Sequence, residues 1–228
     1  MVLPLTVLGV FVLLILKEPD YGTALLVLAL STVMLYIGGV KLKHLIYLGI
    51  TSSSVFVFYL FQASYRMERI FSFISPGQDP LGSGFQPIQS KLAVGSGGLF
   101  GVSLGESTQK LFFLPCAHTD YIFAILGEEL GLLGTLSILV LFVLFLWRGL
   151  LISWRAPDLF CQITAAGLTL SIFLQALLNI SIVLGLGPST GLPLPLISFG
   201  RSSLLTTIFS VGIILHISQR KKAFKKKR

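Results

Sequence analysis

The chain has 228 residues, of which 54% are hydrophobic and 11% charged, with a mean hydropathy of +0.90. That composition excludes a soluble domain of this length and marks a membrane protein. The formal net charge is +8, yet no basic-aromatic recognition fold accompanies it, so nucleic acid is not an expected partner.

A bilayer core takes about 20 mainly apolar residues per helical span. Such stretches run from Val2 to Leu16, Tyr21 to Val40, Leu45 to Phe61, Leu130 to Trp147, Leu159 to Leu186 and Leu194 to His216. The first is short, but it ends in "LKEPDYG" without a basic leader or an A-x-A-like cleavage site, so it reads as a span rather than a signal peptide. The sequence predicts an all-α, polytopic membrane protein. It forms a single domain over residues 1–228, with about six transmembrane helices and no internal repeat.

Between the third and fourth stretches lies one long loop, residues 62–118. Its "ISPGQDPLGSGFQ" is rich in turn residues, and "PIQSKLAVGSGGLFG" sets apolar residues among Gly95, Gly97, Gly98 and Gly101, with Gly105 close behind. These glycines lack the strand-then-helix setting of a phosphate-cradling loop. Short re-entrant or interfacial helices are expected instead, with irregular backbone lining protein or a wet cavity.

The fourth segment, taken from Thr119 to Trp147, would make a helix of about 43 Å against a core of about 30 Å. With Leu130 to Trp147 in the lipid, Glu128 and Glu129 fall at the boundary. Asp120 then stands about 14 Å beyond them, with Thr119 as its N-cap.

Lys41, Lys43, Arg148, Arg155 and the seven basic residues of "RKKAFKKKR" fall on one side of this arrangement, eleven of the seventeen lysines and arginines. The positive-inside rule makes that side cytoplasmic, with residues 217–228 as a basic tail against anionic lipid. "KEPDYG", residues 62–118 and "GLGPSTGLPLP" then lie outside. Cys116 falls on the outer side and Cys161 near the inner end of the fifth segment, too far apart to bridge.

Asp120 has two readings, a carboxylate that complements a helix dipole or a functional acid at a membrane boundary. Glu128 and Glu129 point about 100° apart, so at least one needs a partner. Arg66, Arg69, Lys91 and Lys110 occupy the same outer region. Arg66 and Arg69 would share a face of a helix; such a pair suits a pyrophosphate or simply flanks a helix end. The break "GLGPSTGLPLPLISFGRSS" offers backbone N–H groups to an anion. Gln175 and Asn179, four apart, read as helix-packing groups. His118 could orient Asp120 or bind a proton, but no second histidine or cysteine has metal-ligand spacing, and no metal is assigned.

Three long stretches, "KEPDYGTALLVL", "DPLGSGFQPIQSKLAVGSGGLFGVSLGESTQKLFFLPCAHTDYIFAILGEELGLLG" and "GPSTGLPLPLISFGRSSLL", carry a resemblance that covers nearly the whole chain. In them the sequence resembles the shape, elongation, division and sporulation (SEDS) family, the RodA and FtsW group, and is closer to FtsW. The resemblance implies a peptidoglycan glycosyltransferase of the bacterial inner membrane that polymerises lipid II. It also implies a class B penicillin-binding protein as transpeptidase partner, other division proteins, and a cytoplasmic C-terminus. Asp120, ending the H-T-D motif, becomes the catalytic base. Arg66, Arg69, Lys91, Gln89, Lys110, His118, Glu129 and Ser198 become substrate-binding candidates. No cofactor is evident, and a divalent cation is left open.

Three departures accompany the resemblance. The chain supplies about six of the family's usual ten spans, matching the last six. Arg201 stands where "ISFG" normally continues with a second glycine, putting a charge where the backbone should pack closely. Cys116 stands where glutamate is common. A lipid II flippase and a non-catalytic division scaffold are the competing functions, and intramembrane charges with broken helices would suit the flippase.

Overall fold

The computed structural model describes residues 2–18, 20–60, 64–82, 84–108 and 118–226, excepting the side chains of 2–4, 53–60, 64–66, 68 and 220–226. Among these residues the chain is all-helical: α1 (Val2–Lys17), α2 (Tyr21–Ile37), α3 (Leu42–Leu60), α4 (Ser64–Ile74), a 3-10 turn (Pro76–Gln78), α5 (Phe85–Ser96), α6 (Ile122–Trp154), α7 (Leu159–Val183) and α8 (Arg201–Lys226). Ile122–Trp154, Leu159–Val183 and Arg201–Gln219 are long and apolar enough to cross a membrane, while Leu5–Lys17 and Tyr21–Ile37 are shorter apolar helices. Within the described part of residues 62–118, α5 covers the expected "PIQSKLAVGS" helix, and α4 lies ahead of "SPGQDPLGSGFQ".

Local chemistry sets several of these boundaries. Asp20 in "KEPDYG" caps α2, accepting from Thr23 N at 3.0 Å and from Thr23 Oγ1. Asp158 caps α7 through Cys161 N at 2.7 Å. At the far end of α7, Leu186 N returns to Ser181 O at 2.8 Å and Gly185 N to Ile182 O at 2.9 Å. This closure needs a left-handed residue, and Gly185 supplies it with φ +71°.

α7 is the hub. It packs on α6, α2 and α8, while α5 lies on α6 and α1 on α2. Apolar burial does not drive helix association inside lipid, so close approach rests on small residues. Ala165, Ala166, Thr169 and Ala176 of α7 are buried, and Gly149 of α6 sits so near Thr169 that a Cβ there would lie 2.3 Å from its side chain.

Two expected helix starts are corrected. α6 begins at Ile122, with Tyr121 at the N-cap position, so Asp120 lies in a turn ahead of the helix and Thr119 is not its cap. The helix also runs past Trp147 to Trp154. α8 begins at Arg201, not Leu194, because prolines at 193 and 195 and the bond from Leu194 N to Ser198 Oγ hold residues 194–200 in turns. Arg201 is exposed, so its charge is not forced into a close backbone contact.

α6 is broken at Gly131, whose φ of 66° and ψ of −164° are not helical. The backbone groups freed by the break are taken up by residues 97–103. Val102 N donates to Glu128 O at 3.0 Å and Ser103 N to Glu129 O at 3.3 Å, while Leu132 N and Leu133 N donate to Gly98 O and Leu99 O at 2.9 and 3.3 Å. A Cβ at Gly131 would stand 2.4 Å from Gly101 N, and one at Gly97 2.0 Å from Gly127 O. The glycine cluster therefore lets residues 97–103 lie directly against an opened helix.

Candidate active site

The start of α2, the start of α6, the end of α7 and the residues before α8 meet at one end of the bundle. A Cβ on Gly22 of α2 would stand 2.5 Å from the Thr190 side chain, and Asn179 near the end of α7 reaches the turn that carries Asp120.

That turn, residues 118–120, is held by its carbonyls. Phe199 N donates to His118 O at 2.9 Å, Ser198 Oγ donates to Thr119 O, and Asn179 Nδ2 donates to Asp120 O at 2.7 Å. Three consecutive acceptors are thus committed to groups 59 to about 80 residues away in sequence, which is why the helix cannot begin there. The same Asn179 amide also donates to Leu192 O at 2.7 Å, and Gln175 donates to Pro193 O at 2.9 Å. The two amides serve the loop and the turn, which corrects their reading as helix-packing groups. Pairing with groups far along the chain is invisible to periodicity, although a buried Asn or Gln at four-residue spacing signals a need for a partner.

The Asp120 side chain is half-buried. Burial holds its carboxyl above the usual aspartate range, and a hydrogen bond with the Thr119 side chain pulls it back down. Gly191 faces it, since a Cβ on that residue would stand 3.6 Å from Asp120 Oδ2.

Two cations border the same loop. Arg69 of α4 donates to Ser189 O at 3.3 Å, and the Lys91 side chain of α5 lies across Gly185, where a Cβ would be 1.9 Å from Lys91 Cε. Both are exposed. α5 is pinned beneath them by Ser90 Oγ, which donates to Val183 O at 2.8 Å.

The other candidates divide. His118 is exposed, and Gln89 on α5 and Glu129 on α6 are partly buried. Ser198 is 7% exposed and its hydroxyl is engaged with Thr119 O and Leu194 N, so it supports the turn. The Arg66 side chain, Lys110 and Cys116 lie outside the described residues. Glu128, 2% exposed, accepts from Ser107 Oγ, from Thr108 N at 3.1 Å and from Thr108 Oγ1 at 2.8 Å. It ties the "GEST" segment to α6. No group of three histidine, cysteine or acidic side chains suited to a metal occurs among the described residues.

The sequence profile of the FtsW, RodA and SpoVE family of cell cycle proteins matches residues 1–223. The chain belongs to that family. Stage V sporulation protein E of Bacillus subtilis (strain 168) is 47% identical over 207 residues, covering 91% of this chain and 57% of its own length. The probable peptidoglycan glycosyltransferase FtsW of Geobacter sp. (strain M18) is 42% identical over 214 residues, covering 94% of this chain and 58% of its own. A solved structure of a peptidoglycan synthase complex, described as coordinating polymerization and crosslinking, contains a chain that superposes with a TM-score of 0.75. That chain is 31% identical, with 96% of this chain and 62% of that one covered. The chain therefore spans somewhat more than half the length of the relatives it matches.

Proposed function

We propose that this chain polymerises lipid II into glycan strands, with Asp120 as general base. The observation that carries the reading is a half-buried carboxyl group set ahead of α6 on a turn held through three backbone carbonyls, facing Gly191 of a loop that Arg69 of α4 and Lys91 of α5 also meet. The family relatives named peptidoglycan glycosyltransferase support it.

The GlcNAc 4-hydroxyl of one lipid II attacks the anomeric carbon of another. The new C–O bond forms as the bond from that carbon to the pyrophosphate oxygen breaks, and the hydroxyl proton passes to the Asp120 carboxylate. A carboxyl whose proton affinity is raised by burial is a better acceptor at neutral pH, and such catalysis contributes about a hundred-fold or more. Arg69 and Lys91 face the charge that develops on the departing undecaprenyl pyrophosphate, and Arg66 and Lys110 are the further candidates for that contact. Gln89, His118 and Glu129 line the approach of the sugars. The transfer as written needs no cofactor.

In this reading the Asp120 end faces outward from the bacterial inner membrane, and the basic C-terminus is cytoplasmic. The partner is a class B penicillin-binding protein that crosslinks the strands, within the division machinery.

The test is glycan formation from purified lipid II by wild-type and Asp120→Asn protein, with flipping of labelled lipid II followed in parallel. Product from wild type and none from Asp120→Asn supports the polymerase. Flipping without product from either form would replace it with a transporter, for which the break in α6 gives a physical basis. Neither activity would leave a scaffold.

A further inference from the structure

Residues 92 to 105 form a run of fourteen residues without a charge, bounded by Lys91 and Glu106. Within it Leu99 is 61% exposed and Phe100 79%, and Val102 and Leu104 are exposed as well. Part of the backbone behind these side chains is paired with α6 or within the segment. Gly101 N donates to Gly97 O, Val102 N and Ser103 N donate to the carbonyls of Glu128 and Glu129, and Gly98 O and Leu99 O accept from Leu132 N and Leu133 N. These backbone groups, which hydrocarbon would penalise, are turned inward, and the side chains that water penalises point outward.

This segment adjoins the apolar part of α6. Leu132, Leu133 and Leu136 beside it are exposed, and residues 132–154 make about 34 Å of helix, close to a core of about 30 Å. Exposed Trp147 and Trp154 stand toward the other end, as aromatic side chains do at a membrane interface. Leu99 and Phe100 thus continue the exposed apolar surface of α6 at the level where the core begins.

We propose that Leu99 and Phe100 form a wedge inserted among lipid acyl chains of the leaflet on the Asp120 side. The wedge stands whatever the chemistry at Asp120. It fixes the depth of α6 at its break, and with it the level of the Asp120 turn that Asn179 holds near the end of α7.

The experiment places an environment-sensitive fluorophore on Phe100→Cys in a Cys116→Ser background, with buried Cys161 left in place and the background alone as labelling control. Gln78→Cys, on an exposed polar turn, serves as the water-facing reference. Each protein is reconstituted in phosphatidylcholine and phosphatidylglycerol vesicles carrying spin-labelled lipid, with the spin label either near the headgroup or at the chain end. The expected result is loss of most Phe100→Cys fluorescence with the shallow label, less with the deep label, and little with aqueous iodide, whereas Gln78→Cys shows the reverse. Iodide quenching equal to that of Gln78→Cys, without effect of the lipid labels, would put the segment in water. Protection from both quenchers would mean that protein covers it. Either result overturns the wedge.

Discussion

Replacing Asn179 by alanine tests how the Asp120 turn is held. Asn179 is 2% exposed and its amide reaches Asp120 O and Leu192 O, each at 2.7 Å. Alanine strips both carbonyls of their donor in a site shielded from water, at about 1–2 kcal/mol each, so the protein loses about 2–4 kcal/mol of stability. Ser198 and Phe199 still grip the carbonyls of Thr119 and His118, so the turn shifts at its Asp120 end without detaching. A displacement of about 1 Å in a reacting group reduces turnover by about a hundred-fold. We therefore expect kcat for glycan formation to fall by about ten- to a hundred-fold with KM nearly unchanged. Asn179→Asp, equal in size but presenting oxygen to the two carbonyls, should do no better. Hydrogen exchange of the peptide covering residues 118–124 should accelerate in both variants. Unaltered kcat together with unaltered exchange there would refute the clamp.

Thr119→Val removes the hydroxyl that lowers the Asp120 proton affinity, so the acid limb of the pH–rate profile should move to higher pH. The linkage agrees in sign: a carboxyl raised in the folded state favours folding below its unfolded value, and that contribution disappears as pH rises through the folded one. In Thr119→Val the loss should come at higher pH, as seen by thermal unfolding across a pH series. Glu128→Ala strips Ser107 and Thr108 of a buried acceptor and should cost about 3 kcal/mol, with Glu128→Gln costing about half; melting in detergent reads both. Gly131→Ala puts a Cβ 2.4 Å from Gly101 N at a φ of +66°. It should loosen residues 97–103 from α6 and make that segment the first point of proteolysis.

α7 was legible because its signals are local. The apolar stretch from Leu159, the Asp158 cap and the glycine closure at Gly185 lie within the helix or beside it, and its end differs from the sequence reading by three residues. The start of α6 was not, because the carbonyls that a helix would use are claimed by Asn179, Ser198 and Phe199, all distant in sequence. A partner 79 residues away also hid the work of Ser198. The pair Glu128 and Glu129 did announce that one of them needs a partner, but Ser107 and Thr108, about 20 residues earlier, could not be picked out among the polar residues of the loop. The glycines at 97, 98 and 101 signalled a tight irregular segment, yet the break in α6 that it packs against was not legible, since Gly131 reads as an ordinary glycine of an apolar helix.

The most direct measurement is the single-turnover rate of glycan formation against pH at saturating lipid II. A base at Asp120 predicts an acid limb with its midpoint above that of an ordinary aspartate, and in Asp120→Asn the loss of that limb together with most of the rate. An Asp120→Asn profile that keeps both the limb and the rate would contradict the assignment.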